Sequence, residues 1–139
     1  YDHYGYSFDE NRYTRLFQEI NKPVLLGEFS YPTWHNGLRG YGQYGVFASD
    51  DADAGNKYST IMKSATANPY CVGMFWFMYR DQHATGRGPV NTASGVGEDA
   101  VYGEHYAFGM VDVADNPKWD LITRAREANL QADQWRNAK

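Results

Sequence analysis

A chain of 139 residues holds one ordinary domain and falls well short of the roughly 250 residues of a complete (β/α)8 barrel. Its formal charge of -4 and pI near 5.5, with no run of like charges, exclude the basic stripe that a nucleic-acid or anionic-membrane partner needs. No apolar run approaches the ~18 residues of a membrane span and the first residues carry no leader pattern, so a soluble chain is expected.

The chain opens on an extended "YDHYGY", which suits the end of a strand. "SFDENRYTRLFQEINKP" follows, with Ser7 and Glu10 at capping-box spacing and Tyr13, Leu16, Phe17 and Ile20 on one helical face. Asn21 and Pro23 end that helix. Val24 to Phe29 is a short, unbroken apolar run, the pattern of a strand covered on both faces in a parallel sheet. It ends in a single carboxylate, Glu28, and then in the aromatics of "SYPTW". A Gly- and Tyr-rich loop leads to a second helix whose inner face is Ala54, Tyr58, Ile61, Met62 and Ala65, closed by "ANPY". "CVGMFWF", Cys71 to Phe77, repeats the buried-strand pattern. From Tyr79 to His105 periodicity is lost, and a loop of that length in a compact domain is expected to bind something. A last helix starts near Pro117, with Leu121, Ile122, Ala125, Ala128 and Ala132 inward. Helix, strand, helix, strand, helix defines an α/β fold with parallel strands.

Ligands of parallel α/β folds sit beyond the carboxyl ends of the strands, and Glu28 stands at such an end. Burial raises a carboxyl pKa while donors and cations lower it, so this position serves either a proton donor or a nucleophile, or else a carboxylate tied to neighbouring backbone. Trp76 ends the second strand ahead of Arg80, Asp81 and Gln82, and Tyr31, Trp34 and His35 follow Glu28. Flat aromatic rings beside fixed donors and acceptors suit a sugar, whose C–H faces stack and whose hydroxyls need partners; core filling by Trp76 is equally compatible with the pattern. Other chemistries fit less well. "GRGPVN" lacks the third glycine of a dinucleotide loop and does not join a strand to a helix. His3, His35, His83 and His105 are too scattered for a metal motif, and Cys71 reads as a small core residue. No cofactor and no metal are expected.

"KPVLLGEFS", "VGMFWFMYRDQHATGRG" and "GEHYAFGMVDVADNPKWDLI", taken in that order, resemble the C-terminal part of retaining (β/α)8-barrel glycoside hydrolases of the large clan, and most of all the β-agarase group. The resemblance covers nearly all of residues 1–139. It implies a partial TIM barrel, the last three βα units, strands six to eight, with the N-terminal part of the barrel as an additional partner. On that reading Glu28 is the nucleophile, Trp76 the platform under the sugar, and His3 and Tyr4, with Tyr6 close behind, contact the nucleophile or the substrate. Tyr31, Trp34, His35, Arg80, Asp81 and Gln82 complete the substrate-binding set. The implied activity is hydrolysis of a β-linked galactan such as agarose, with retention.

A retaining glycosidase needs a second carboxyl about 5–5.5 Å from the first. The clan carries it in an Asn-Glu pair after the fourth strand, and no such pair occurs here, where the order is Glu10-Asn11. The chain is therefore expected to supply the nucleophile half of a site and to be inactive alone. Three alternatives stand beside this reading. One is a non-catalytic carbohydrate-binding module, and another is a glycosidase of a different β-linked polysaccharide. The third is an unrelated enzyme whose acid/base is Asp81, Glu98, Asp99 or Glu104. A polymeric substrate implies a secreted or periplasmic protein.

Overall fold

In this computed structural model the described residues are 2–5, 8, 10–33, 46–84 and 105–138, with the side chains of 10–14 excepted. The order is α1 (Glu10–Ile20), β1 (Val24–Phe29), α2 (Asp51–Ala67), β2 (Cys71–Trp76) and α3 (Trp119–Asn137). Each element lies within a residue or two of where the sequence pattern puts it, except that α2 begins three residues ahead of Ala54, the first of its predicted inner face. Asn21 takes a left-handed conformation, φ 48°, and its N–H caps the Phe17 carbonyl at 2.8 Å, which ends α1. The Asp50 carboxylate accepts from the Asp53 amide at 2.7 Å and starts α2. Pro117 and Lys118 precede α3, two residues later than the sequence suggests.

β1 and β2 pair in parallel, joined through α2, and Asp2 extends the sheet by a parallel bridge to Glu28. The N-terminal segment is thus a third strand end on the far side of β1, as its sequence suggests. α2 packs along α3, and both cover one face of the sheet. Leu26, Phe29 and Cys71 of the sheet meet Ala54, Tyr58, Ile61 and Ala65 of α2 and Leu121, Ala125 and Ala128 of α3 in a single core. Full burial of Leu26, Phe29 or Ile61 contributes about 1.5–3 kcal/mol each. Phe8 and Phe17 stack at 5.7 Å and tie α1 into the same core.

The expectation of strands covered on both faces is met on one face only. Leu25, Val72 and Phe75 are 49, 58 and 58% exposed, because the described helices pack on the opposite side. Leu16 and Ile20, on the apolar face of α1, are exposed as well, while Phe17 is buried.

The pairing slips where the chemistry is expected. Leu26 pairs with Met74 and Phe29 with Trp76, so Gly27 and Glu28 together oppose only Phe75. This β-bulge keeps both Leu26 and Phe29 on the helix side although they are three residues apart.

Candidate functional site

The bulge sets the surroundings of Glu28, which is half-buried at the carboxyl end of β1. Its backbone carbonyl accepts from the His3 amide at 2.9 Å. Its carboxylate Oε2 accepts from the Tyr4 hydroxyl at 2.8 Å. A phenol donating to a carboxylate holds that oxygen in place and so fixes the direction in which the second oxygen points. His3 lies beside this pair, half-buried, with its ring edge-on to Phe8 at 6.2 Å. Glu28, Tyr4 and His3 are therefore brought together, from segments 24 residues apart in the case of the Tyr4–Glu28 bond.

Tyr31 is placed differently from its sequence reading. It is 1% exposed, and its hydroxyl donates to the Gly5 carbonyl at 2.8 Å. Burial pushes its phenol well above the usual tyrosine range. A ring so enclosed does not reach a ligand, and a direct substrate contact is corrected to a contact with the backbone beside Tyr4.

Trp76 is half-buried and leans toward the core: its ring lies edge-on to Phe29 at 5.4 Å, 5.7 Å from Tyr58 of α2 and 6.2 Å from Tyr31. The indole N–H donates to the Phe108 carbonyl at 2.8 Å. The Phe77–Met78 peptide bond that follows is cis.

The three polar residues expected to orient hydroxyls are each engaged elsewhere. Asp81 has a fully buried side chain, and its Oδ1 accepts from Lys118 Nζ at 2.7 Å and from the Gly109 amide at 2.7 Å. Gln82 is 4% exposed, and its Oε1 accepts from the Tyr106 amide at 2.7 Å. Arg80 makes a two-pronged pair with Asp115, whose backbone is left-handed at φ 65°. That pairing raises the Arg80 pKa further, first through the hydrogen bond itself. An acid/base role for Asp81 facing Glu28 is likewise replaced by its buried pairing with Lys118. Trp34 and His35, together with Tyr6 and the Glu98, Asp99 and Glu104 alternatives, lie outside the described residues.

These bonds assemble a bracket at the base of the long loop. Asp81 N–H meets the Val111 carbonyl at 3.0 Å, Met110 and Val111 amides meet the Tyr79 carbonyl at 2.8 and 3.1 Å, and Gln82 N–H meets the Tyr106 carbonyl at 3.1 Å. Gly109 is required there, since a Cβ would stand 2.2 Å from the Val111 carbonyl oxygen and 2.3 Å from the Asp81 nitrogen. The bracket holds the Phe108 carbonyl against Trp76. Lys118 and Gly109 escape the sequence reading because nothing local marks a residue whose partner is 37 or 28 positions away. Among the described residues no three His, Cys, Asp or Glu side chains gather as a metal site, and no helix is long and apolar enough to cross a membrane.

The class is thus an α/β fold with a phenol-bonded carboxylate where parallel strands present their ligand-facing ends. No family model matches the sequence. It is 35% identical over 111 residues to β-agarase B of Vibrio sp. (strain JT0107), covering 80% of this chain and 10% of that protein. Among solved structures, an exo-β-agarase superposes with a TM-score of 0.79 at 32% identity, over 98% of this chain and 16% of that one. The agarase AgWH50C superposes with a TM-score of 0.80 at 25% identity, over 98% of this chain and 19% of that one. The resemblance read from the motifs is borne out, and in sequence and fold the chain is β-agarase-like. It spans about a tenth of the length of the curated relatives it matches.

Proposed function

We propose that these residues form the nucleophile half of a retaining glycoside hydrolase site acting on a β-linked galactan such as agarose. They would be the last three βα units of a (β/α)8 barrel, and the rest of that barrel is the partner that covers Leu25, Val72 and Phe75. The observation that carries the reading is the 2.8 Å bond from the Tyr4 hydroxyl to the Glu28 carboxylate at the end of a parallel strand. Similarity to β-agarases supplies the substrate class.

On this reading the free oxygen of Glu28 attacks the anomeric carbon as the glycosidic oxygen leaves with a proton from a second carboxyl. That carboxyl comes from a segment beyond these 139 residues and lies about 5–5.5 Å away. Tyr4 holds the attacking group oriented; the bond relaxes as negative charge on the carboxylate is lost to the glycosyl-enzyme ester. Water activated by the second carboxyl then releases the sugar with its configuration kept. Trp76 and His3 line the sugar at the cleavage point. A polymer of this kind is met outside the cytoplasm, which makes the enzyme a secreted or periplasmic one.

Glu28→Gln in the complete enzyme tests the reading. Turnover should fall at least about a thousandfold with oligosaccharide binding retained, since a neutral amide neither attacks nor leaves. Activity within tenfold of the parent would remove Glu28 from the chemistry.

A further inference from the structure

We propose that Tyr31 is a positioning residue for the Tyr4–Glu28 pair, an inference that rests on Glu28 being the nucleophile. The segment that carries Tyr4 is held at two points, one on each side of it. On one side the His3 amide is bonded to the Glu28 carbonyl at 2.9 Å. On the other the Gly5 carbonyl receives the Tyr31 hydroxyl at 2.8 Å. Tyr4 sits between these points and reaches Glu28 Oε2 at 2.8 Å.

Tyr31 is itself immobilised. Only 1% of it is exposed, its ring rests 6.2 Å from that of Trp76, and the residue that follows, Pro32, is also fully buried. Both anchors of the Tyr4 segment therefore come from the same short stretch, residues 28 to 31, that carries the carboxylate. The clamp moves with the group it serves, so the Tyr4 hydroxyl and the Glu28 carboxylate keep their spacing through any motion of the surrounding loops. A Cβ at Gly5 would stand 2.6 Å from His3 Nε2, so a side chain there would displace the His3 ring that lies beside the pair. Burial keeps the Tyr31 phenol protonated, so it remains a donor throughout the range in which glycosidases work.

The test is a double-mutant cycle in the complete enzyme with Tyr31→Phe, Tyr4→Phe and the pair. Tyr31→Phe removes one hydroxyl and no carbon from the core. It should lower kcat about tenfold with KM within about twofold, and should add nothing in the Tyr4→Phe background, because its effect passes through the Tyr4 hydroxyl. Losses that multiply, or a change confined to KM or to thermal stability, would overturn the proposal. A measurement on the unmutated enzyme checks it independently of any variant. The His3 amide should exchange as slowly as the amides of β1, and exchange at the rate of a free segment would overturn the clamp. Failure of the underlying reading looks different, since it shows as an active Glu28→Gln whatever the cycle gives.

Discussion

Replacing Lys118 by methionine isolates the buried charge at the base of the long loop. In the native chain the ammonium is 5% exposed and the Asp81 carboxylate it meets is 0% exposed, at 2.7 Å. The amine also reaches the Ala107 carbonyl at 3.3 Å. Methionine fills nearly the same volume, so packing changes little and the cost is electrostatic. It leaves a carboxylate in the interior that still accepts from the Gly109 amide but has lost the cation beside it. Losing one member of such a pair costs about 3–5 kcal/mol, much more than an exposed pair, because burial shields the remaining charge from solvent. For a barrel of roughly 250 residues each kcal/mol corresponds to about 2 °C, so the melting temperature of the barrel should fall by about 6 °C or more. Adding Asp81→Asn to Lys118→Met should recover a good part of the loss, since the amide oxygen still accepts from Gly109 while the stranded charge is gone. Calorimetry or dye-monitored melting of the three proteins suffices. A shift below about 2 °C for Lys118→Met, or a double variant less stable than the single one, would refute the assignment of the pair as a buried bracket.

The same bracket predicts that Gly109→Ala is not accommodated. The added carbon meets backbone atoms of Arg80, Asp81 and Val111 at 2.2–2.5 Å, and backbone cannot swing aside as a flexible side chain does. Its melting temperature should drop at least as far as that of Lys118→Met, and an unchanged value would show that the 105–111 segment moves freely. Tyr4→Phe removes the bond to Glu28 and leaves the ring. It should lower kcat about 10- to 100-fold with little change in KM in steady-state assays on agaro-oligosaccharides, whereas a pure KM effect would place Tyr4 with the substrate and not with the nucleophile.

The elements were legible because each carries its own local pattern. Ala54, Tyr58, Ile61 and Ala65 recur at helical spacing and are all buried in α2, and Leu121, Ala125 and Ala128 do the same in α3. Glu28 was legible for a different reason: a charge at the tip of an apolar run is rare enough to stand out. The surroundings of Glu28 were not. Alternation along β1 gives no sign of the bulge, which depends on how β2 is registered against it. Asp81 and Gln82 look like surface groups, and only a partner far along the chain draws them inside. Tyr31 shows the same limit, since a tyrosine close behind a strand-end carboxylate has the same letter whether it faces a ligand or the core. The strands announced two covered faces, and the described helices cover one.

The bulge at Gly27 and Glu28 separates two jobs that a regular strand would combine. In an uninterrupted ladder, every side chain is committed to a face by its neighbours, and changing one residue type disturbs the packing behind it. Here Leu26 and Phe29 anchor the strand on either side of the slip, and position 28 carries no share of the core. A carboxylate, an amide or a small residue can stand there without the packing of the sheet registering the difference. The side chain at this point is an exchangeable part, so variants at residue 28 should fold like the parent, and under the proposed function their activity reports on the carboxylate and its bond to Tyr4.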